Sequence, residues 1–224
     1  LSAGPDLVEP GQPLKNASDE YETNSWLLTT AVREVGAVAY RVHSIPDDEA
    51  QLQKVIEDQL VRADLIIISG ERNDDSFDLI SRTLAGLGAI TTVDLAIEAS
   101  GRHNFGTIGP DKTPVVTLPG DPISAYISFE LFVRPMIRTM LGAATIHRPS
   151  VKAALEKPIE SAPGMRSYIR GILADDGKSV TPLANQDEQS TLSDANAFIA
   201  ISETETALKT GDQVNVVVLE RRYI

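Results

Sequence analysis

Cysteine is absent from this chain of 224 residues. Without thiols, the protein has neither a disulfide bridge nor a thiolate metal site, which suits a cytoplasmic location. We therefore predict that the protein is cytoplasmic. No apolar run approaches the roughly 18–20 residues that a helix needs to cross a bilayer, so membrane insertion is not expected.

Positive charge is also scarce. The chain has 20 Lys and Arg residues against 32 Asp and Glu residues, which gives a formal net charge of −12. A surface this acidic repels nucleic acid and anionic membranes, so we predict neither as a partner. The same charge disfavours an anionic ligand unless a local basic group offsets it, and it could equally serve solubility alone.

Patterns for nucleophilic catalysis and for histidine metal sites are missing as well. The sequence has no Gly-x-Ser-x-Gly and no Cys/His pair, which leaves no candidate nucleophile. His43, His103 and His147 are scattered and have no metal-ligand spacing. Any polar chemistry therefore falls to carboxylates and backbone groups.

The first 142 residues alternate helical and strand patterns. Asn24 is expected to cap a helix that Gly36 ends, and Asp64-Leu-Ile-Ile-Ile-Ser69 is typical of a buried parallel strand. Repeated β-then-α order predicts an α/β fold with a doubly wound sheet and ligands at the carboxyl ends of its strands. The other predicted helices lie at 46–60 and 76–87, and the other predicted strands at 37–45, 91–97, 104–107 and 115–118.

After Gly142 the pattern changes to short alternating segments separated by turn clusters, which predicts a small antiparallel β-barrel or sandwich. The predicted strands are 150–155, 166–173, 179–183, 197–202 and 213–220. We divide the chain into an α/β domain at 1–143 and an all-β domain at 144–224.

The most informative stretch is Leu118-Pro-Gly-Asp-Pro-Ile-Ser-Ala125. An apolar strand breaks at Pro119-Gly120, and Asp121 can cap a helix whose first residue is Pro122. A tight strand-to-helix turn of this kind aims backbone N–H groups above the sheet, which is the general design of an anion cradle. Pro135 should kink the long helix or end its first half, because it removes an interior hydrogen bond.

This stretch resembles the Leu-Pro-Gly-Asn-Pro-Val-Ser-Ala block of the molybdopterin molybdotransferases (MoeA) and the gephyrin E domain. Ser2-Ala-Gly-Pro-Asp-Leu7 is similar to the family's Ser-Thr-Gly-Asp-Glu-Leu, Tyr21-Glu-Thr-Asn-Ser-Trp26 to Tyr-Asp-Ser-Asn-Ser-Tyr, and Pro46-Asp-Asp48 to Pro-Asp-Asp. The resemblance implies a molybdopterin-binding α/β domain followed by a β-barrel domain. Family members carry further N-terminal domains, so we expect this chain to be the C-terminal half of such a protein.

The resemblance also implies a transferase that inserts molybdate into adenylylated molybdopterin, with Mg²⁺ and a homodimer. It implies Asp47, Asp48 and Asp78 as catalytic residues, with Asp47 and Asp78 as metal ligands. Asp47 and Asp48 are equally suited to the first turn of a helix, and Asp78 to the surface. The implied cofactor-binding residues are Ser2, Gly4, Asp6, Ser69, Gly70, Pro119, Gly120, Asp121 and Ser124.

Four departures from the family pattern fall in the loops that carry chemistry. The family's Ser-Gly-Gly-Val-Ser-Val-Gly-x-x-Asp reads Ser69-Gly-Glu-Arg-Asn-Asp-Asp-Ser-Phe-Asp78 here, and its Lys-Pro-Gly-Lys-Pro reads Glu98-Ala-Ser-Gly-Arg102. Asp121 replaces an asparagine and Pro5 replaces an aspartate. Because the changes add carboxylates and remove glycines and lysines, we predict weakened binding of a pterin phosphate and weakened catalysis.

The alternative is a non-catalytic, gephyrin-like dimeric scaffold that binds a peptide of a protein partner, for example in actinobacterial cell division. Gephyrin-like proteins hold such peptides near the junction of the two domains. The resemblance places this partner site at Leu7, Val8, Pro10, Ile199 and Ile201.

Overall fold

The computed structural model describes residues 1–4, 6–42, 48–71 and 74–219, without the side chains of Glu71 and Asp74. The chain forms two compact units. The first contains Leu1–Leu95 and Arg102–Ala143, and the second contains Ala96–Gly101 and the chain from Ala144 onward. Segment 96–101 thus packs with the second unit, whereas the division predicted from sequence assigns it to the first.

The strands of the first unit are β1 (Leu7–Val8), β2 (Glu20–Tyr21), β3 (Ile66–Glu71), β4 (Gly88–Asp94), β5 (Arg102–Ile108) and β6 (Thr113–Pro119). β1 and β2 pair with each other, and the other four form a sheet of order β3-β6-β5-β4. In this sheet β3 and β6 are parallel and the other pairs antiparallel. Its helices are α1 (Asn24–Val35), α2 (Glu49–Leu60), α3 (Asp74–Leu87), α4 (Pro122–Ser128) and α5 (Arg134–Met140), with a π-helix at Phe129–Val133 between the last two.

Helices cover both faces of this sheet. On one face, α2 and α3 bury apolar side chains such as Leu52 and Leu84 against Ile66 and Ile68 of β3. On the other face, α1, α4 and α5 pack around Phe129 against Val116 and Leu118 of β6. The predicted α/β class with a doubly wound sheet is confirmed, because two apolar layers enclose the sheet.

Two local predictions in this unit are wrong. Helix α1 begins at Asn24, and the Glu22 carboxylate, not the Asn24 side chain, accepts the hydrogen bond of the Ser25 backbone N–H at 2.7 Å. Residues 37–42 form no strand; the rest of the predicted strand, 43–45, lies outside the described residues. Gly36 ends α1 as predicted, with a left-handed φ of 102°.

The long helix does not end before Pro135, but its hydrogen-bond pattern changes there. Helix α4 runs to Ser128, a π-helical turn follows, and α5 continues from Arg134 with Pro135 in its first turn. A proline lacks the N–H that the preceding turn would use, and the π-helical turn accommodates that loss.

The elements of the second unit are β7 (Ser150–Leu155), β8 (Ile159–Glu160), β9 (Ser167–Leu173), β10 (Ser179–Pro182), α6 (Ser190–Asp194), β11 (Ala197–Ile201), β12 (Ala207–Leu208) and β13 (Gln213–Val218). Five of the strands form a closed barrel of order β10-β7-β13-β11-β9, with only the β10–β7 pair parallel among these neighbours. The predicted strands agree with those observed, because alternating side chains fill the barrel core.

Candidate functional site

The carboxyl ends of β3 and β6 meet at one edge of the sheet because the two strands are parallel. Ser69 of β3 lies opposite Leu118, and after a bulge Glu71 lies opposite Pro119. The first residues of the chain run beside β3, where Ala3 N–H donates to the Ser69 carbonyl at 2.9 Å and Ser69 N–H donates to the Leu1 carbonyl at 3.0 Å. The fold therefore brings Ser2, Ser69, Gly70 and Pro119 to a single edge. We call this edge, together with the first residues of α1 and α4 that adjoin it, the cradle.

Gly70 sits at the bulge of the cradle with a φ of 131°. A Cβ atom at this position would lie 1.8 Å from the Ala3 carbonyl oxygen. Only glycine allows the two backbones to approach this closely, so the bulge depends on the residue type.

Asp121 closes the cradle at the start of α4. Its Oδ2 accepts hydrogen bonds from the Ser124 backbone N–H at 2.8 Å and from the Ser124 hydroxyl at 2.7 Å. Pro122 occupies the first turn of α4, where a backbone N–H would have no acceptor within the helix, so the proline breaks no hydrogen bond. The predicted capping role is confirmed, and the cap places a carboxylate at the edge where an anion would bind.

Asn24 is a cradle residue that the candidate site residues did not include. It is buried at the start of α1, and its Nδ2 donates to the Gly120 carbonyl oxygen at 2.8 Å. The two residues are 96 positions apart, so no local pattern predicts the contact. Its place in the Tyr-Glu-Thr-Asn motif is the one sequence signal that could have pointed to it.

Two buried polar atoms at this edge lack a hydrogen-bond partner within the described part of the chain. They are Oδ1 of Asn24, whose residue is 6% exposed, and Oγ of Ser69, whose residue is 0% exposed. An unsatisfied polar atom at this depth costs about 1–3 kcal/mol, so such atoms usually mark a ligand or water position.

At the start of α1, the buried Glu22 forms an ion pair with the partly buried Arg41. Arg41 Nη1 lies 3.6 Å from Glu22 Oε2, and the guanidinium also binds both carboxylate oxygens of Glu9 at 2.6 and 3.1 Å. The Arg41 Cζ atom lies 4.0 Å from the ring centroid of Trp26. Hydrogen bonds to Glu9 hold the pKa of Arg41 above its ordinary value, so the guanidinium stays charged. The loop that carries Glu9 is thereby fixed to the start of α1.

Residues 2–139 match the model of the family described as the probable molybdopterin binding domain, and residues 152–219 match the MoeA C-terminal region (domain IV). The chain belongs to the MoeA family. This MoeA-family chain is 31% identical over 228 residues to molybdopterin molybdenumtransferase 1 of Mycobacterium tuberculosis, covering 98% of this chain and 53% of that protein. It is 32% identical over 225 residues to molybdopterin molybdenumtransferase 2 of the same organism, covering 96% and 55%.

A solved structure supports the same assignment. The molybdopterin biosynthesis MoeA protein from Pyrococcus horikosii superposes with a TM-score of 0.82 at 27% identity, covering 98% of this chain and 53% of that one. The MoeA-family chain thus spans about half the length of the curated relatives that it matches. The predicted order of a molybdopterin-binding-type domain and a β-barrel is confirmed.

Two of the three acidic residues implied as catalytic, Asp48 and Asp78, lie within the described structure. Asp48 caps α2 by accepting the Gln51 N–H at 2.8 Å. Asp78 is exposed, and its Oδ1 lies 3.9 Å from Arg102 Nη1, whose guanidinium stacks 4.0 Å from the Phe77 ring. Asp47 lies outside the described residues. Within the described ranges, no three His, Cys, Asp or Glu side chains are grouped closely enough to hold a metal ion.

The loops that depart from the family pattern belong to both units. Glu98 belongs to the second unit, where its carboxylate accepts a hydrogen bond from the Ser167 hydroxyl at 2.5 Å. Arg72 and Asn73 of the other altered loop lie outside the described residues, as does Pro5. Of the remaining implied cofactor residues, Gly4 is buried and Asp6 is exposed, accepting from the Ser18 hydroxyl at 3.3 Å.

The residues implied for a partner peptide have unequal exposure. Leu7 and Val8 form the half-buried strand β1 beside β2, and Pro10 is exposed. Ile199 and Ile201 are buried in the barrel core with 0% and 1% exposure. Their side chains are therefore core groups in this structure and offer no surface to a peptide.

None of the described helices combines the length and apolar character needed to cross a membrane.

Proposed function

We propose that this MoeA-family chain binds molybdopterin at the cradle. The observation that carries the proposal is the pair of unpartnered buried polar atoms, Asn24 Oδ1 and Ser69 Oγ, at the carboxyl edge of the sheet within the described residues. The carboxyl edge of an open α/β sheet is where ligands generally bind. The match of residues 2–139 to a molybdopterin-binding family model supports molybdopterin as the ligand.

The cradle residues fit such a ligand. Ser69 and Asn24 offer polar side chains, and the Gly70 bulge brings the Ala3 backbone into reach without an intervening side chain. Bound molybdopterin would supply the sulfur ligands that take up molybdenum. The protein's part is to bind the pterin and to orient it at the edge of the sheet.

We further propose that the transfer of molybdate is weakened in this chain. The Asp121 carboxylate adds negative charge to the cradle, and a carboxylate a few ångströms from a phosphate opposes it by roughly 1–4 kcal/mol. Asp48 is engaged in a helix cap, and Asp78 is exposed. The implied Mg²⁺ ligands are Asp47, which lies outside the described residues, and Asp78.

Calorimetric titration of the chain with molybdopterin and with its adenylylated form tests both statements. We expect saturable binding that is weaker than micromolar. No heat signal at the highest attainable ligand concentration would refute binding, whereas submicromolar affinity together with rapid molybdate insertion would refute the weakened site.

A second candidate function is a scaffold for a partner peptide. The loop between β1 and β2 exposes Leu14 at 44%, and Tyr21 of the adjoining strand β2 is 46% exposed. Arg41 anchors this loop through Glu9. Anchored, exposed apolar side chains are typical of protein-binding surfaces. A partner retained by the wild type and lost from Leu14→Ser and Tyr21→Ser variants would support this function, and a partner retained equally by all three would refute this surface.

The implied homodimer and the cytoplasmic location remain proposals. Sedimentation equilibrium of the chain at several concentrations tests the dimer, for which we expect a mass twice that of the 24.1 kDa chain. A concentration-independent monomer mass would contradict it. Cell fractionation tests the location.

A further inference from the structure

The two unpartnered atoms at the cradle differ in what they can bind. Ser69 Oγ can donate or accept a hydrogen bond, whereas the side chain of Asn24 has one accepting and one donating end. The hydrogen bond to Gly120 decides which end of the Asn24 amide remains without a hydrogen-bond partner. Because a carbonyl oxygen only accepts, the end that faces Gly120 at 2.8 Å must be the amide NH₂. The remaining end, Oδ1, is an acceptor.

Both atoms lie on the same face of the sheet. Along β3, Ile66 and Ile68 belong to the apolar cluster around α2 and α3, while Ile67 packs against the cluster around α1 and α4. Side chains alternate along a strand, so Ser69 shares the face of Ile67, which α1 covers. Asn24 is the first residue of α1, so it lies on that face and at the carboxyl edge, beside Gly120.

An acceptor at this depth selects its ligand. Asn24 Oδ1 carries partial negative charge and repels a phosphate oxygen, but it stabilises a donor N–H. The capped Asp121 carboxylate, also at this edge, disfavours an anion in the same way. The edge next to Asn24 is therefore suited to a neutral heterocycle that carries N–H groups.

We propose that Asn24 and Ser69 are specificity-determining residues that hold the N–H edge of the pterin ring, with Asn24 Oδ1 as the acceptor and Ser69 Oγ as the second contact. This inference rests on the proposed function, because it assigns the ring of the same ligand to these two residues. It places the ring, not the phosphate, at the junction of β3, β6 and α1.

Ser69→Ala is the decisive variant, because it removes a hydroxyl that makes no hydrogen bond within the described structure. Without ligand, the substitution removes an unsatisfied buried group, and we expect the melting temperature to rise by about 2–4 °C. With ligand, it removes a contact, and we expect the dissociation constant for molybdopterin and for free pterin to increase about tenfold. The assays are thermal unfolding and quenching of pterin fluorescence.

Ser128→Ala is the matched control. Ser128 is also a serine with 0% exposure, but its Oγ lies 3.1 Å from Nε2 of His103. We expect this control to lower the melting temperature and to leave pterin affinity unchanged. Asn24→Ala should weaken pterin binding about tenfold and also lower the melting temperature, because it breaks the bond to Gly120. Inorganic phosphate should bind the wild type and both cradle variants equally.

The outcomes separate this inference from the proposed function. If the wild type binds molybdopterin and both cradle variants bind it equally well, the inference is overturned and the proposed function stands. If Ser69→Ala lowers the melting temperature and leaves affinity unchanged, the hydroxyl is satisfied by an internal water and the inference is overturned. If the wild type binds neither molybdopterin nor free pterin, both are overturned.

Discussion

The backbones of Gly70 and Ala3 approach so closely that a Cβ atom on Gly70 would lie 1.8 Å from the Ala3 carbonyl oxygen. This contact joins the first residues of the chain to the end of β3 and shapes the bulge at the cradle. The approach is possible because Gly70 has no side chain and tolerates a φ of 131°.

Gly70→Ala should therefore destabilise the first unit. The added methyl group cannot be accommodated without a shift of the Ala3 backbone, and we expect a loss of at least about 2–3 kcal/mol in the free energy of unfolding. Urea denaturation measures this loss. Gly86→Ala is the control, since its Cβ would meet no atom within 4 Å inside α3, and it should be neutral or slightly stabilising. Equal stability of the two variants would contradict the contact.

Asp121 allows capping to be separated from charge. Asp121→Asn should keep the cap on Ser124 and so leave the melting temperature nearly unchanged, because asparagine caps as well as aspartate. Removing the charge should increase the affinity for molybdopterin several-fold. Asp121→Ala should lose about 1 kcal/mol of stability. Calorimetry and thermal unfolding measure the two effects, and unchanged affinity in Asp121→Asn would show that no ligand anion lies near this carboxylate.

Arg41 should stabilise the first unit through its ion pair with Glu22. Arg41→Met removes the guanidinium from a carboxylate that is 1% exposed, and we expect a loss of about 2 kcal/mol or more in the free energy of unfolding. Arg41→Lys should retain only part of this stability, because lysine lacks the planar guanidinium that binds both carboxylate oxygens of Glu9. Fluorescence of Trp26, the sole tryptophan, follows the unfolding. Full stability in Arg41→Met would exclude a structural role for the ion pair.

Glu156 in the barrel should titrate at low pH. Hydrogen bonds from the Thr181 and Ser179 hydroxyls hold the pKa of Glu156 below its ordinary value of 4.5. Since the folded-state pKa is depressed, its stabilising contribution is present above the unfolded-state pKa and is lost as the pH falls through the folded-state pKa. Carboxyl NMR titration should show a midpoint below 4.5 that rises in Thr181→Val. A midpoint that does not respond to Thr181→Val would refute the cause.

Sequence patterns predicted the elements that depend on local residue types and not on contacts with distant segments. The barrel strands agree with prediction because alternation of apolar residues reflects burial on one side of any strand. The cap at Asp121 and the end of α1 at Gly36 agree because each depends on the residue's own conformational preference. Segment 37–42 was predicted wrongly as part of a strand. Its residues are mostly apolar, yet they form no strand, and Val38 and Tyr40 are exposed at 78% and 64%.

The sequence by itself therefore determined the family, the order of the two folds and the turn chemistry at Pro119–Pro122, since these follow from local residue types. Only the tertiary structure decided the composition of the cradle. It brought Asn24 to Gly120 across 96 positions, joined Ser2 to Ser69, and placed Glu98 in the second unit. Such contacts depend on how distant segments pack against one another, and the residues that make them carry no local signal of their partners.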